Sequence, residues 1–492
     1  MLKIFYSLST LSAIGYLITL GNQVVISKKL GTSAELDAYF YTLSLVSLFS
    51  FFSNPITDAA IPLFFSQKEG GKEQENLYFS KILNSILAIC GISTLIFILI
   101  NSQIAKAFVQ DNLLQHIESI QKYSLLLTPF IFLSTLTLFF QSVLNVNNRY
   151  ISQQVGRLVG SLAGLTILII FTKKWGASAI GLSLIVSMTI LVLFQWKEIR
   201  DCGVRYRFLS GFVRNSKFYK VLFVLSVTFI TTCFYIIFEK WVLASFGLGY
   251  VSAFTYSQKL FQVPVQIFMA SIVSVSWTRF MERHYQDGRD SSIDEAIKLS
   301  SLAFAFSLFI ALALSLYGYE ILYLIFYGGK FDVESLKQTS EVFRILILGI
   351  PVYVAYVMLN RLITSLQQAK MLGYIGIIFN FIMFLGAGSA VLTGKLSLIV
   401  WSTPLAYFLM SVAILMQLSS LTSQNVFISF FSYSKWISLY AICVYFLNTY
   451  FKNIIVWEGK FKVFCFLTLV GIIFSLPLIF YSQKKLTQIK LQ

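Results

Sequence analysis

The chain has few charged side chains for its length. Of its 492 residues, 12% are Asp, Glu, Lys or Arg, whereas 57% are hydrophobic, and the mean hydropathy is +0.76. A water-soluble protein of this size needs more charged residues to keep its surface hydrated. The composition therefore excludes a soluble globular protein and predicts an all-α protein that crosses a membrane many times.

The apolar residues are grouped into about fourteen segments, each near the roughly 20 residues that a helix needs to cross a bilayer. No stretch outside these segments is long enough for a separate soluble domain. The predicted spans lie at 8–26, 38–61, 82–100, 124–144, 154–171, 177–195, 220–238, 250–277, 299–327, 341–365, 374–392, 396–416, 427–449 and 461–481.

The chain also lacks the sequence patterns of common catalytic and metal sites. It has two histidines, His116 and His284, both in predicted loops, and no CxxC, HExxH or GxxxxGK[ST] pattern. Four of its five cysteines fall inside apolar segments, where thiols pack as small hydrophobic groups. These absences argue against an enzyme, against a metal or other cofactor, and against a pump that binds ATP itself.

Acidic residues are scarcer than basic ones, 21 against 38, and the net charge is +17. Basic residues are concentrated in alternate loops, which predicts that both termini lie in the cytoplasm. Topology and attraction to anionic lipids account for the positive charge, so no nucleic-acid partner is expected. The largest basic cluster lies in loop 196–220 and comprises Lys197, Arg200, Arg205, Arg207, Arg214, Lys217 and Lys220.

One short pattern occurs twice, about 215 residues apart. The first signature, residues 30–41, reads LGTSAELDAYFY, and the second signature, residues 246–256, reads FGLGYVSAFTY. Each follows one apolar segment and leads into another, which predicts a duplicated bundle of transmembrane helices. We expect an N-lobe of six helices at 1–196, a basic cytoplasmic linker at 197–219, a C-lobe of six helices at 220–418, and a C-terminal helix pair at 419–492.

Polar side chains inside predicted spans mark candidate binding residues, because each is costly in hydrocarbon unless it faces a cavity or a partner. In the eighth span, Gln258, Gln262 and Gln266 recur every four residues beside Lys259. On a helix these four residues form one polar face that carries a positive charge. Alternatively, the lysine extends to the membrane interface while the glutamines bond to neighbouring helices.

Three further candidates come from other spans. Asn22 belongs to a polar stripe on the first span, and Arg361 lies near the end of the tenth. Asp37 precedes the apolar part of the second span, where it is either a binding residue or the N-cap of that helix.

Several motifs, in the same order along the chain, resemble the MurJ/MviN family of lipid II flippases, within the multidrug/oligosaccharidyl-lipid/polysaccharide exporter superfamily. They are LGTSAELDAYFYTLSL, IPLFFSQKEG, QKLFQVP, FYGGKFD and LNRLITSLQQAK. The resemblance implies two pseudo-symmetric six-helix lobes around a central cavity, a further helix pair that forms a lipid groove, and alternating access. It also matches Asp37, Lys259 and Arg361 with an aspartate and two arginines of the family.

The chain departs from that family in its first two helices. Members that flip lipid II carry cavity arginines there, whereas the matching positions of the first helix are Tyr16 and Asn22 and the arginine pair of the second helix is absent. Because a diphosphate is bound best by cations or oriented donors, fewer cations favour a larger saccharide head that shares the binding energy.

We therefore expect a flippase in a bacterial inner membrane that moves an undecaprenyl diphosphate-linked saccharide to the outer leaflet. A polysaccharide repeat unit is the favoured substrate and lipid II the alternative. Other readings are a cation-coupled drug exporter, which would need an acid in the first helix, and a scaffold without transport activity. The expected partners are the lipid-linked saccharide, membrane lipids and glycan-assembly enzymes.

Overall fold

The computed structural model describes residues 2–56, 64, 71–109, 111–147, 149–213, 216–268, 289–365, 369–422 and 425–454. Across these ranges the chain is almost entirely helical and has no β-strand beyond one isolated bridge. The helices are α1 (Leu2–Leu30), α2 (Ala34–Leu48), α3 (Lys72–Phe108), α4 (Ile117–Leu127), α5 (Pro129–Val146), α6 (Tyr150–Trp175), α7 (Ser178–Asp201), α8 (Ser216–Ser245), α9 (Tyr250–Phe268), α10 (Arg289–Leu316), α11 (Gly318–Phe326), α12 (Val333–Leu346), α13 (Ile350–Ser365), α14 (Ala369–Thr393), α15 (Leu396–Leu421) and α16 (Val426–Ile454).

The prediction of an all-α membrane protein is confirmed. Within the described ranges, 10 helical segments are long and apolar enough to cross a membrane. The predicted spans 8–26 and 220–238 also fall on helices, α1 and α8, and span 250–277 is helical as far as Phe268. The last predicted span, 461–481, lies outside the described residues.

The helices pack in two sets with the same pattern of neighbours. In the first set α1 contacts α6, α6 contacts α7, α2 contacts α4, and α5 contacts α7. In the second set the corresponding pairs are α8 with α14, α14 with α15, α9 with α12, and α13 with α15. These are the two pseudo-symmetric lobes. Helix α16 packs outside them, mainly on α10. The exact lobe boundaries stay a prediction.

Small residues let equivalent helices approach closely in both lobes. In the N-lobe, a Cβ added to Gly160 of α6 would lie 2.5 Å from the carbonyl oxygen of Ser187 on α7. In the C-lobe, a Cβ added to Gly386 of α14 would lie 2.3 Å from the Cβ of Ser402 on α15. Glycine facing serine is a common way to pack helices in a bilayer, where no hydrophobic force joins them.

The predicted linker, 197–219, overlaps both neighbouring helices, because α7 continues to Asp201 and α8 begins at Ser216. Residues 202–213 run along α3, and we call them the linker strap. Asn84 of α3 donates to the carbonyl oxygens of Phe208 (3.2 Å) and Gly211 (3.0 Å). Three backbone N–H groups of the strap donate to α3 side chains: Arg205 to Asn76, Arg207 to Ser80, and Val213 to Ser85.

Candidate functional site

The two signatures meet at the boundary between the lobes. The Asp37 carboxylate, on α2, accepts hydrogen bonds from the backbone N–H of Gly249 (2.6 Å) and of Ser252 (2.7 Å), and from the Ser252 hydroxyl. Helix α9 begins at Tyr250, so Asp37 caps the N-terminus of a helix in the other lobe. The side chain is only 1% exposed, which removes competition from water.

The alternative role of Asp37 as the N-cap of its own helix is wrong. Ser33 is the N-cap residue of α2, and its hydroxyl accepts from the backbone N–H of Leu36 at 3.4 Å. Because a serine already fills that position, the carboxylate of Asp37 points to the other lobe and serves α9 instead.

Further hydrogen bonds join the lobes beside Asp37. The Tyr256 hydroxyl donates to the carbonyl oxygen of Gly31 (3.0 Å), and the N–H of Lys330 donates to that of Lys28 (2.8 Å). The backbones approach so closely that a Cβ on Gly329 would lie 2.1 Å from the Lys28 carbonyl oxygen. We call this whole set, together with the Asp37 cap, the signature contact. It closes the boundary between the lobes at the end where both signatures lie.

The side chains of the predicted polar face of α9 are all at least partly accessible. Gln258, Lys259 and Gln266 are half-buried, and Gln262 is exposed. Within the part of the chain that the structure describes, Lys259 forms no ion pair with a carboxylate. It lies seven residues beyond Ser252, about 10 Å along the helix from the signature contact. Whether this face binds substrate stays a prediction.

The remaining candidates lie on helices that pack against α9. Asn22 is half-buried on α1, and its side-chain oxygen has no hydrogen-bond partner among the described residues. The neighbouring Gln23 is buried, and its side-chain oxygen also has no hydrogen-bond partner among the described residues. Arg361 is exposed on α13. Both α1 and α13 contact α9, and no hydrogen bond joins Asn22 to Lys259.

A buried ion pair in the C-lobe was missed by the sequence reasoning. The Lys240 ammonium lies 3.3 Å from the Glu239 carboxylate, and both side chains are buried at the end of α8. Tyr235 donates to Glu239 (3.1 Å), while Lys240 lies 3.5 Å from the Thr255 hydroxyl and 4.9 Å from the centre of the Phe254 ring. The predicted seventh span ended one residue before this pair, so its charges were assigned to a loop.

Two helical lobes that share one packing pattern, with amides and lysines on the helices at their boundary, define a membrane transport protein rather than an enzyme. A family model described as "Lipid II flippase MurJ" matches residues 26–466. The chain therefore belongs to the MurJ family, whose members are proteins of the bacterial inner membrane.

Individual relatives are distant. A probable lipid II flippase MurJ from Thermotoga maritima is 21% identical over 365 residues, which cover 70% of this chain and 70% of that protein. A protein of the same description from Borreliella burgdorferi is 22% identical over 66% of this chain and 64% of its own length.

Solved structures agree on the fold. A lipid II flippase MurJ in an inward closed conformation aligns with a TM-score of 0.78 at 18% identity, covering 97% of this chain and 99% of that one. An inward-facing multidrug resistance transporter of the MATE family aligns with a TM-score of 0.64 at 14% identity, covering 84% and 96%. At these identities the similarity supports the fold, and the substrate has to be argued separately.

Proposed function

We propose that this protein is a flippase that moves lipid II from the inner to the outer leaflet of the cytoplasmic membrane. The observation that carries the proposal is the match of the MurJ family model to residues 26–466. The sequence alone favoured a polysaccharide repeat unit, and the comparisons support the alternative, lipid II, better. Either substrate is a saccharide on an isoprenoid diphosphate.

The physical task explains the two-lobe design. The lipid tail stays in the bilayer while the hydrophilic head passes through a polar space between the lobes, which opens to one side at a time. The positive-inside rule puts the signature contact at the outer face and both termini in the cytoplasm. In this orientation the structure represents a state that is closed to the outside.

The candidate residues have distinct roles in this proposal. Lys259 holds the diphosphate, because an ammonium group makes charge-assisted hydrogen bonds to phosphate oxygens and no protein carboxylate competes for it among the described residues. The side-chain amides of Asn22 and of the α9 face, Gln258, Gln262 and Gln266, bond the saccharide. Arg361 is a further cation, on a helix that packs against α9, and Asp37 holds the outer side closed.

A polysaccharide repeat unit remains the second candidate because one specific observation favours it. The positions of Tyr16 and Asn22 carry no charge, and no basic residue occurs between Lys29 and Lys68. Each missing cation removes a contact worth about 1.5–3 kcal/mol to a phosphate. A longer saccharide would recover that energy through hydrogen bonds to hydroxyl and amide groups.

Replacement of the essential flippase in a model bacterium tests the proposal. The native lipid II flippase is depleted and this chain is expressed in its place. We expect growth with the wild type and with Lys259→Arg, and none with Lys259→Ala. Lys435→Ala, which removes an exposed lysine of α16, serves as the matched control. Growth failure of the wild type at normal membrane abundance would exclude lipid II and favour the polysaccharide unit.

The orientation has its own test. Single cysteines replace Phe208 in the linker strap and Leu248 in the second signature, which are 77% and 48% exposed. In intact cells an impermeant thiol reagent should label the cysteine at 248 and leave the one at 208 unmodified until the membrane is permeabilised. The reverse pattern would place the signature contact on the cytoplasmic side.

A further inference from the structure

A second polar space lies in the N-lobe, between α1 and α6. It has a volume of about 40 Å³. Five of its lining side chains carry hydrogen-bonding groups and none is a carboxylate. These five are Tyr16 and Thr19 of α1 and Gln154, Arg157 and Ser161 of α6.

Arg157 is the charged group of this space. It lies seven residues after the start of α6, about 10 Å into a helix that is apolar enough to cross the membrane. The Arg157 side chain is exposed, and its guanidinium forms no ion pair within the ranges that the structure describes. A cation at this depth is costly unless it meets an anion or water, so it marks a functional site by default.

The neighbours of Arg157 suit an anion with several acceptor oxygens. The guanidinium presents five N–H donors in a planar arrangement, Tyr16 and Ser161 add O–H donors, and Gln154 adds an amide, whereas the Thr19 hydroxyl already donates to the Gly15 carbonyl oxygen (2.9 Å). Tyr16 is close enough to Arg157 for the two groups to interact electrostatically. No lining carboxylate repels an anion there.

The size of the space limits what enters it. A volume of about 40 Å³ holds a few water-sized atoms, which is enough for the oxygens of one phosphoryl group and too little for a sugar ring. Inside a bilayer, phosphate is carried by lipids. We propose that Arg157, together with Tyr16 and Gln154, binds the phosphate of an anionic lipid at the α1–α6 boundary.

Two lipids carry this chemistry, the isoprenoid diphosphate of the proposed substrate and an ordinary phospholipid. If the isoprenoid diphosphate binds, Arg157 of α6 provides the cation that is absent from α1, where Tyr16 stands. This part rests on the proposed function, whereas lipid phosphate binding itself does not. Undecaprenyl diphosphate and phosphatidylglycerol are therefore separate probes, and undecaprenol, which has no phosphate, is the blank.

The test measures the affinity of the purified full chain for each lipid by native mass spectrometry. Losing one charge-assisted contact lowers affinity on the order of tenfold or more. We expect Arg157→Gln to show that loss for at least one phosphate lipid, and Arg157→Lys to retain part of the affinity. Arg149→Gln, just before α6 and away from the space, should bind as the wild type does.

The pattern across probes identifies the source. A loss confined to undecaprenyl diphosphate assigns the site to the substrate, and a loss for both lipids assigns it to phosphate headgroups in general. Tyr16→Arg added to Arg157→Gln should restore binding, since it returns a cation to the same space from the opposite wall. This double variant also keeps the test valid if Arg157→Gln alone folds poorly.

Unchanged affinity of Arg157→Gln for both lipids would overturn the inference. That outcome is distinct from failure of the proposed function, because transport that depends on Lys259 can persist while Arg157 binds nothing. Conversely, a flippase test that fails for lipid II leaves the loss of phosphatidylglycerol binding in Arg157→Gln fully interpretable.

Discussion

The two signatures repeat one sequence pattern, yet they contribute opposite chemistry to the same contact. Aligned by their aromatic residues, Asp37 of the first signature corresponds to Ser252 of the second. These equivalent residues are hydrogen-bonded to each other across the lobe boundary. Two aspartates facing each other there would repel, so a self-complementary contact required one copy to become an acceptor and the other a donor.

The same divergence runs along the helices on either side of the signatures. In this alignment Ser44 of the N-lobe corresponds to Lys259 of the C-lobe, and Gln23 corresponds to Glu239. Ser44 is buried and donates to the carbonyl oxygen of Tyr41 in its own helix (2.6 Å). Helix packing is thus repeated in both lobes, whereas the charges at these positions belong to the C-lobe alone. Duplication preserved the architecture and left the electrostatics free to differ.

The largest effect should come from breaking the Asp37–Ser252 pair. Asp37→Ala leaves three donors of the α9 N-terminus without their acceptor, and charge-assisted hydrogen bonds contribute about 1.5–3 kcal/mol each. We expect the closed state to be weakened by at least about 3 kcal/mol, or roughly a hundredfold. Electron–electron distance measurements between spin labels at Trp175 and Leu248, one on each lobe, should show a new longer population.

The exchange variant Asp37→Ser/Ser252→Asp sharpens this test. If the contact is pseudo-symmetric, an aspartate on the second signature should accept from the N-terminal residues of α2, and part of the short distance should return. An exchange variant that is as open as Asp37→Ala would show that only the original arrangement fits.

The buried ion pair is the next largest difference between the lobes. Glu239→Gln copies the residue found at the N-lobe position and leaves Lys240 charged and unpaired, which typically costs about 3–5 kcal/mol in a buried site. Thermal unfolding in detergent should show a large decrease in stability. The double variant Glu239→Gln/Lys240→Met should recover much of it, and equal losses in single and double variants would contradict a coupled pair.

The close backbone approach offers a smaller and more local test. Gly329→Ala places a methyl group where the Lys28 carbonyl oxygen lies, and the lobes must separate slightly to admit it. Gly328→Ala is the matched control, since its φ of +126° is also unfavourable for alanine but its added Cβ meets no atom within 4 Å. We expect about 1–3 kcal/mol of extra destabilisation of the closed state for Gly329→Ala, measured with the same spin labels.

The smallest effect concerns the linker strap, which lies between the two lobes and is not part of either signature. Asn84→Ala removes two hydrogen bonds to the strap backbone and the acceptor of the Tyr206 hydroxyl (2.6 Å). The bound state of the strap should become less stable by about 1–2 kcal/mol. Amide hydrogen exchange of residues 205–213 should therefore become faster. Gln74→Ala, at an exposed position of α3, should leave exchange unchanged.

Hydropathy was sufficient to locate nearly all of the helices, because crossing a bilayer imposes a length and an apolar composition on each segment. The duplication was also visible, since the order of glycine, small and aromatic residues is local. What the sequence could not indicate is that the two copies touch. Asp37 and Ser252 lie 215 residues apart, and no local pattern encodes a cap donated by another lobe.

Charges near span ends were the other weak point of the sequence reasoning. Glu239 and Lys240 stand where an apolar run finishes, and hydropathy assigns such residues to the interface. Only the fold, which packs α8 against α2, α9 and α14, reveals that they are buried. Arg157 was passed over for a related reason, because its significance depends on what α1 places opposite it.

The linker strap also limits how far the lobes can travel. Its hydrogen bonds fix residues 205–213 to α3 of the N-lobe, and only two residues separate Val213 from the start of α8 at Ser216. The three Cα–Cα steps from Val213 to Ser216 reach about 11 Å at full extension. While the strap stays bound, the start of α8 therefore stays within that distance of Val213 on the N-lobe, and in the proposed transport cycle we expect the lobes to pivot about this tether rather than to move apart. Glycines inserted between Val213 and Ser216 would lengthen this connection and show whether the movement of the lobes depends on its length.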